Sequence, residues 1–364
     1  MKFIPRTVFP KYNVPLANLK GHQRAALSDL MHLAPQIDYV LEVRDARAPL
    51  ASANGLIDKV LAKKPKMVLY NKLDLAVTKP KLIEKFHKER NEDCMFLSAK
   101  NTSDVKKLVS RLQTKFGTYE IPPPLGFRVA IVGMPNVGKS SMINSLRQIG
   151  MKLRDIVTQK KYKVARTSDY PGLTRKTSEA IKISEDPLIY IYDAPGIMVP
   201  SVKDAETMIS LALIHSVQSE LVDHYIQADY LLYLLNLQNP SGKHYRKFID
   251  HPTNSIDELL VSYAKKSKNY QESKFNIENT ARNFVDHFRV GYKVPFAMLE
   301  KDTLVESSEK WNDILKTETN RLNESPLIKE LGQRLGDDYS GMSKNRKRNA
   351  KDRKADLNNM LFKL

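Results

Sequence analysis

A single cysteine, Cys94, in 364 residues leaves no partner for an intrachain disulfide. That suits a reducing compartment such as cytosol, nucleus or mitochondrial matrix and gives no support for secretion. Long apolar runs are also missing. The most apolar stretch, 229-DYLLYLLNL-237, falls well short of the ~20 residues that a bilayer span needs. No secretory apolar segment opens the chain, and no acid precedes Asp29, whereas Lys2, Arg6, Lys11, Lys20 and Arg24 do. An acid-free basic start points to a mitochondrial address, although Pro5, Pro10 and Pro15 interrupt a continuous amphipathic helix. Internal repeats are absent.

What is present is a hydrophobic content of 41%, enough for a sizeable core, and a formal net charge of +18. A surplus of that size favours nucleic acid or an anionic membrane surface as partner and says nothing about fold. Apolar runs of strand length occur at 38-DYVLEV-43, 67-MVLY-70, 94-CMFLS-98, 128-RVAIV-132 and 188-LIYIY-192. Segments of helical spacing lie between them, such as 104-DVKKLVSRLQTKF-116, so an α/β fold with a mostly parallel sheet is expected. The run 117-GTYEIPPPLGF-127 reads as an extended connector. Beyond about residue 203 only helices are expected. They are 204-DAETMISLALIHSVQ-218, then 255-SIDELLVSYAKK-266 with a capping box at Ser255 and Glu258, then 276-NIENTARNFVDHFRVG-291 ending at a C′ Gly291. From residue 301 the apolar periodicity fades, and 343-SKNRKRNAKDRK-354 is a dense basic run.

The stretch 128-RVAIVGMPNVGKSSMINSL-146 is a strand, a GxxxxGKS loop and a helix. Consecutive N–H groups of Asn136, Val137, Gly138, Lys139, Ser140 and Ser141, with the positive end of the following helix, make an anion cradle. Gly133 and Gly138 supply backbone that folds closely, Lys139 would reach the β- and γ-phosphates, and the Ser140 hydroxyl would bind Mg²⁺. Downstream, 188-LIYIYDAPGIMVP-200 is a strand ending in DAPG. There Asp193 would hold a Mg²⁺-bound water and the Gly196 N–H would sense the γ-phosphate. Thr174, in 169-DYPGLTRKT-177, would complete the Mg²⁺ shell.

Upstream, 68-VLYNKLDL-75 ends one strand and 97-LSAK-100 ends the next. The Asp74 carboxylate can accept both N1–H and the exocyclic amine of guanine, a pair adenine does not offer. Asn71 would meet the purine's other edge, and the Lys72 stem would cover the base face. Ser98, Ala99 and Lys100 form the second base loop, with the Ala99 N–H facing guanine O6. Ligands sit at the carboxyl ends of parallel strands, so these loops and the phosphate loop should share one rim.

The order NKLD, SAK, GMPNVGKS, PGLT, DAPG resembles the circularly permuted GTPases, in particular the YlqF-like family of ribosome-assembly GTPases and its mitochondrial branch. Residues 43-VRDARAPLAS-52 and 281-ARNFVDHFRVG-291 are similar to the family's DAR-x-P and FR-x-G stretches. The resemblance covers roughly residues 15–300 and implies a permuted P-loop GTPase domain over 21–203 and a helical RNA- and ribosome-binding domain over 204–300, followed by a basic extension over 301–364, while the basic start points to targeting for 1–20. It implies GTP/GDP and Mg²⁺ as cofactors. It also implies a mitochondrial matrix location with peripheral inner-membrane association, and a monomer that binds large-subunit ribosomal RNA and the precursor particle. The family's FPGHM opening appears as 19-LKGHQ-23, which implies that His22 helps position the attacking water. Many GTPases place glutamine after DxxG, where this chain has Ile197 and Met198, so intrinsic turnover should be slow. In related GTPases with that substitution a phosphate-loop asparagine ligates K⁺, and Asn136 matches it; its other reading is a turn asparagine at positive φ.

Three basic clusters favour ribosomal RNA as partner. They are Lys152 to Arg166, then Lys265, Lys266 and Lys268, then the tail. Joining the usual domain ends moves the cut to just after DAPGI, so ordering or release of 194–203 should carry nucleotide state into the helices. A nucleotide-gated RNA scaffold with negligible hydrolysis is the alternative function. A membrane-surface GTPase using the basic tail is a third, and an ATPase conflicts with Asp74.

Overall fold

The computed structural model describes residues 3–16, 21–61, 64–76, 80–151, 180–199, 201–266, 276–289 and a few positions between 309 and 320. Met1–Lys316 form one compact unit and Thr317–Leu364 a second. In the first unit Thr174, Gly291, the basic cluster at 152–166 and Lys268 lie outside the described residues, as does the basic tail in the second.

Six strands of the first unit form one sheet: β1 (Tyr39–Asp45), β2 (Lys66–Asn71), β3 (Asp93–Phe96), β4 (Phe127–Val132), β5 (Ile181–Glu185) and β6 (Leu188–Asp193). Their spatial order is β3-β2-β1-β4-β6-β5, parallel throughout except for β5, which runs antiparallel to β6 at the edge. Every residue of β1 is buried, as expected for a central parallel strand covered on both faces. The five strand segments read from the sequence are present. β5 was not among them, because IKISE is half exposed and broken by a register shift between Lys182 and Ser184.

β1 to β3 run outward on one side of β4, and β6 and β5 lie on the other, so β1 and β4 flank the point where strand order reverses. The carboxyl ends meeting there carry DAR, NKLD, the phosphate loop and DAPG. Helices α1 (Gly21–Leu33), α2 (Gly55–Val60), α3 (Pro80–Glu89) and α4 (Thr102–Gly117) precede β4, which the chain reaches from α4 through the proline connector. α4 forms because Asn101 caps the Ser103 N–H, and Val105, Leu108, Val109 and Leu112 make one buried stripe. The helix after the phosphate loop is α5 (Lys139–Gly150), which buries Met142, Ile143 and Leu146.

Past β6 the described elements are all helical: α6 (Ala205–Leu213), α7 (His224–Gln238), α8 (Ile256–Lys265) and α9 (Ile277–Arg289). The apolar stretch around Leu231 is α7, buried on all sides across 227–236. No helix among the described residues is long and apolar enough to cross a membrane. α6 ends earlier than its apolar spacing suggests. His215 turns into the left-handed region at φ 62°, and the Ser216 N–H closes onto Leu211 O. At α8 the Ser255 hydroxyl accepts from the Glu258 N–H as a capping box requires. The return half is relayed, since the Ser255 N–H donates to Thr253 Oγ1, whose hydroxyl donates to the Glu258 carboxylate.

Residues 3–16, read from sequence as part of a targeting segment, are built into this unit. Arg6 forks onto the buried Asp229 of α7, Tyr12 Oη donates to the same carboxylate, and Phe9 packs edge-on against Tyr230. The segment then reaches the exit of the DAPG loop, where the Val202 N–H donates to Leu16 O.

Candidate functional site: a guanine nucleotide rim

The phosphate loop leaves β4 at Gly133 and enters α5 at Lys139. Its glycines answer to close protein contacts as well as to a phosphate. A Cβ on Gly133 would strike Val43 O, and one on Gly138, at φ 101°, would strike the Asn71 amide. Lys139 is buried, its Nζ donating to Met134 O at 2.8 Å and Gly133 O at 3.2 Å. Burial lowers its pKa from 10.5 to about 8, with the Asp193 charge opposing. An arriving phosphate would reverse that shift.

Across the rim, Ser140 Oγ lies 3.4 Å from Asp193 Oδ2 at the carboxyl end of β6. Burial raises the Asp193 pKa, with Lys139 and Ser140 pulling the other way. A hydroxyl and a carboxylate side by side are the hard oxygen donors that Mg²⁺ takes alongside phosphate oxygens. The residues therefore fit the ion.

The base loops are tied to the phosphate loop by protein contacts. Asn71 Nδ2 donates to Val137 O at 2.9 Å, and its Oδ1 accepts from the Ala99 N–H at 2.9 Å. The structure thus gives Asn71 and the Ala99 N–H to each other, where the sequence suggested purine contacts for both. Lys72, at φ 63°, places Nζ 3.0 Å from Asp45 Oδ2 and within hydrogen-bond reach of Asn136 O, so its stem bridges the two loops. Ser98 anchors its loop by accepting from the Lys100 N–H through Oγ and donating its own N–H to Asp104. The Ser145 hydroxyl of α5 holds Ala99 O. Asp74 stays accessible with its side chain 36% exposed, and Lys100 Nζ sits 3.9 Å from its carboxylate.

Asn136 and Gly196 lie against protein groups. Asn136 adopts φ 57°, which its turn reading foresaw, and its Nδ2 donates to His215 O at 2.9 Å. The Ser216 hydroxyl holds the neighbouring Pro135 O at 2.9 Å, so the turn ending α6 grips the phosphate loop. His22 falls in α1 (Gly21–Leu33), with its side chain outside the described residues. Gly196 lies against Pro135, where a Cβ would come within 2.7 Å of Pro135 Cα. The loop around it is pinned by Ile197 N–H to Gly133 O at 3.3 Å and by Asn54 Nδ2 to Ile197 O at 2.6 Å. Ser141 is exposed on the first turn of α5.

Asn54, His215, Ser216 and Arg289 escaped the sequence reading as parts of this rim. Asp45, Arg47 and Arg289 stood inside the DAR and FRVG motifs without a role, and the motifs were the only signal for them.

Comparison with known proteins agrees with this geometry. Residues 128–277 match the family described as "50S ribosome-binding GTPase". Mitochondrial GTPase 1 of Saccharomyces cerevisiae is 41% identical over 278 residues, covering 71% of this chain and 75% of that protein. Mitochondrial ribosome-associated GTPase 1 of Bos taurus is 30% identical, covering 78% and 88%. The crystal structure of GNP-bound YlqF from T. maritima shares the fold at a TM-score of 0.51 and 22% identity, covering 76% of this chain and 96% of that one. With strand order, converging loops and these relatives in agreement, the chain has the fold of YlqF and belongs to the family of mitochondrial GTPase 1, enzymes that bind GTP and hydrolyse it.

Proposed function

We propose that this GTPase binds the mitochondrial large ribosomal subunit or its precursor through ribosomal RNA, acts in its assembly, and is stimulated by that partner. One observation supports dependence on a partner. Ile197 and Met198, where many GTPases carry a water-orienting glutamine, are each 1% exposed. An apolar, buried side chain cannot hold water in line for attack, so the remaining alignment must come from elsewhere. The printed names of the relatives link them to mitochondria and, for the bovine protein, to the ribosome. The +18 charge suits an RNA partner.

Within the site, Ser140 and Asp193 would hold Mg²⁺ with Thr174 completing the shell, and the ion would neutralise charge on the β- and γ-phosphates. K⁺ would take Asn136 as ligand. An amide binds a cation through its oxygen, so the ligand atom would be Oδ1, while Nδ2 donates to His215 O. Gly196 N–H would meet the γ-phosphate, and Asp74 would read guanine. Residues 194–203 would then pass nucleotide state to α6, which follows directly. Matrix location, peripheral contact with the inner membrane, a monomeric state and a boundary near 203 complete the reading.

The test is GTP turnover with and without purified mitochondrial large subunits, in K⁺ and in Na⁺ buffer. Stimulation by the subunit supports the proposal, and so does a K⁺ preference that Asn136→Ala abolishes. Unchanged single-turnover cleavage on the subunit would favour the nucleotide-gated scaffold, a reading that the burial of Ile197 also permits. Equal rates in both salts for both proteins would remove K⁺ alone.

A further inference from the structure

Two arginines outside the nucleotide loops close a circuit of hydrogen bonds around them. Arg47, two residues after the end of β1, forks onto Asp45 through Nε to Oδ1 at 2.9 Å and Nη2 to Oδ2 at 2.8 Å. Its third arm, Nη1, donates to the backbone O of Arg289 at 3.2 Å, at the last residue of α9. Arg289 in turn donates through Nε to Leu213 O at 2.9 Å and through Nη2 to Ala212 O and Gln227 Oε1, both at 3.3 Å. Each arginine therefore caps the carbonyl end of another helix, where a cation is favoured.

The circuit continues into the site from both ends. The turn that Arg289 holds at the end of α6 grips Pro135 and Asn136 through Ser216 and His215. Asp45, oriented by Arg47, holds Lys72, whose Nζ also bonds Asn136 O. Asp45 is fully buried; burial works to raise its pKa, but Arg47 and Lys72 outweigh this and keep it ionised. The base loop and the phosphate loop thus meet at Asn136, and both trace back to the end of α9.

We propose that Arg47 and Arg289 are positioning residues that lock the guanine loop and the phosphate loop into one frame, so that the seating of α9 sets how long nucleotide stays bound. Bound GDP would touch both loops, and a frame that slips would release it sooner. Anything that shifts α9 would be felt at Lys72 and Asn136 without touching the nucleotide. The inference rests on guanine nucleotide binding, which the family establishes, and needs no ribosomal partner.

The test uses the full chain and fluorescent methylanthraniloyl-GDP, with dissociation followed by stopped flow and Tm measured on the same samples. Arg289→Lys keeps the charge and loses the fork, while Arg47→Lys keeps the ion pair with Asp45 and loses the arm to α9. Each should speed GDP release about tenfold, equivalent to about 1.4 kcal/mol. The double variant should be little faster than the faster single, because both cut one circuit. Release rates equal to wild type in both variants would overturn the proposal whatever happens to Tm, as would single effects that multiply in the double. If Arg289→Lys lowers Tm too far for measurement, Arg47→Lys decides alone. Failure of the wild type to bind the probe would instead overturn guanine recognition itself.

Discussion

At the residue scale, the proposal assigns base choice to Asp74, whose side chain stands accessible at the rim while Asn71 and Lys72 are engaged in holding loops together. Asp74→Asn replaces one acceptor by a donor facing guanine's N–H pair. GTP affinity should fall by roughly 10–100-fold, about 1.4–2.7 kcal/mol, with ATP binding no better than before, read by competition titration. Lys139 gives a pH signature. Burial holds its pKa near about 8, below the ordinary 10.5, so the nucleotide-free fold is favoured by losing that proton as pH rises through this window. Bound phosphate stabilises the charged form. Binding should therefore take up a proton above pH ~8 and weaken as pH rises further, which calorimetry in buffers of differing ionisation enthalpy would detect. Sequence alone could nominate both residues because each stands within a local motif. The contacts of Asn71 with Val137 and Ala99 were not legible, since they lie on loops brought together only by the sheet.

At the element scale, the five strand segments and the phosphate-loop helix could be read because buried parallel strands are continuous apolar runs and α5 carries its own stripe. β5 could not, being a five-residue edge strand that is only partly buried and broken by a register shift. The end of α6 was also hidden. It is set by a left-handed histidine and by Arg289, which lies 76 and 77 positions away in sequence from the two α6-end carbonyls it caps. The packing of the N-terminal segment was not legible from its sequence. Phe9 is buried among Tyr12, Tyr230 and Tyr233. Phe9→Ala should cost about 3–5 kcal/mol, seen as a lower midpoint in urea unfolding. Deleting residues 3–16 should destabilise the whole unit, because Asp229 would lose both Arg6 and Tyr12. A midpoint unchanged by either alteration would show that the segment does not belong to the stable fold.

At the scale of the whole molecule, permutation decides what the nucleotide can move. The strand order keeps the loops on one rim, while chain order places DAPG immediately before α6. The DAPG loop is held by Gly133, Asn54 and, further on, Leu16, so its release would loosen contacts on three sides together. Hydrogen exchange across 194–203 should be slower with a GTP analogue than with GDP. Identical protection would disconnect the helices from the nucleotide. The claim on which the functional account turns is that the GTP-bound enzyme engages large-subunit ribosomal RNA in mitochondria. Crosslinking the protein to RNA there, with wild type and with a Lys139→Ala variant that should not retain nucleotide, tests it most directly. The account predicts crosslinks concentrated on large-subunit ribosomal RNA and lost in the variant. Crosslinks spread evenly over mitochondrial RNA, or the same with and without nucleotide binding, would contradict it.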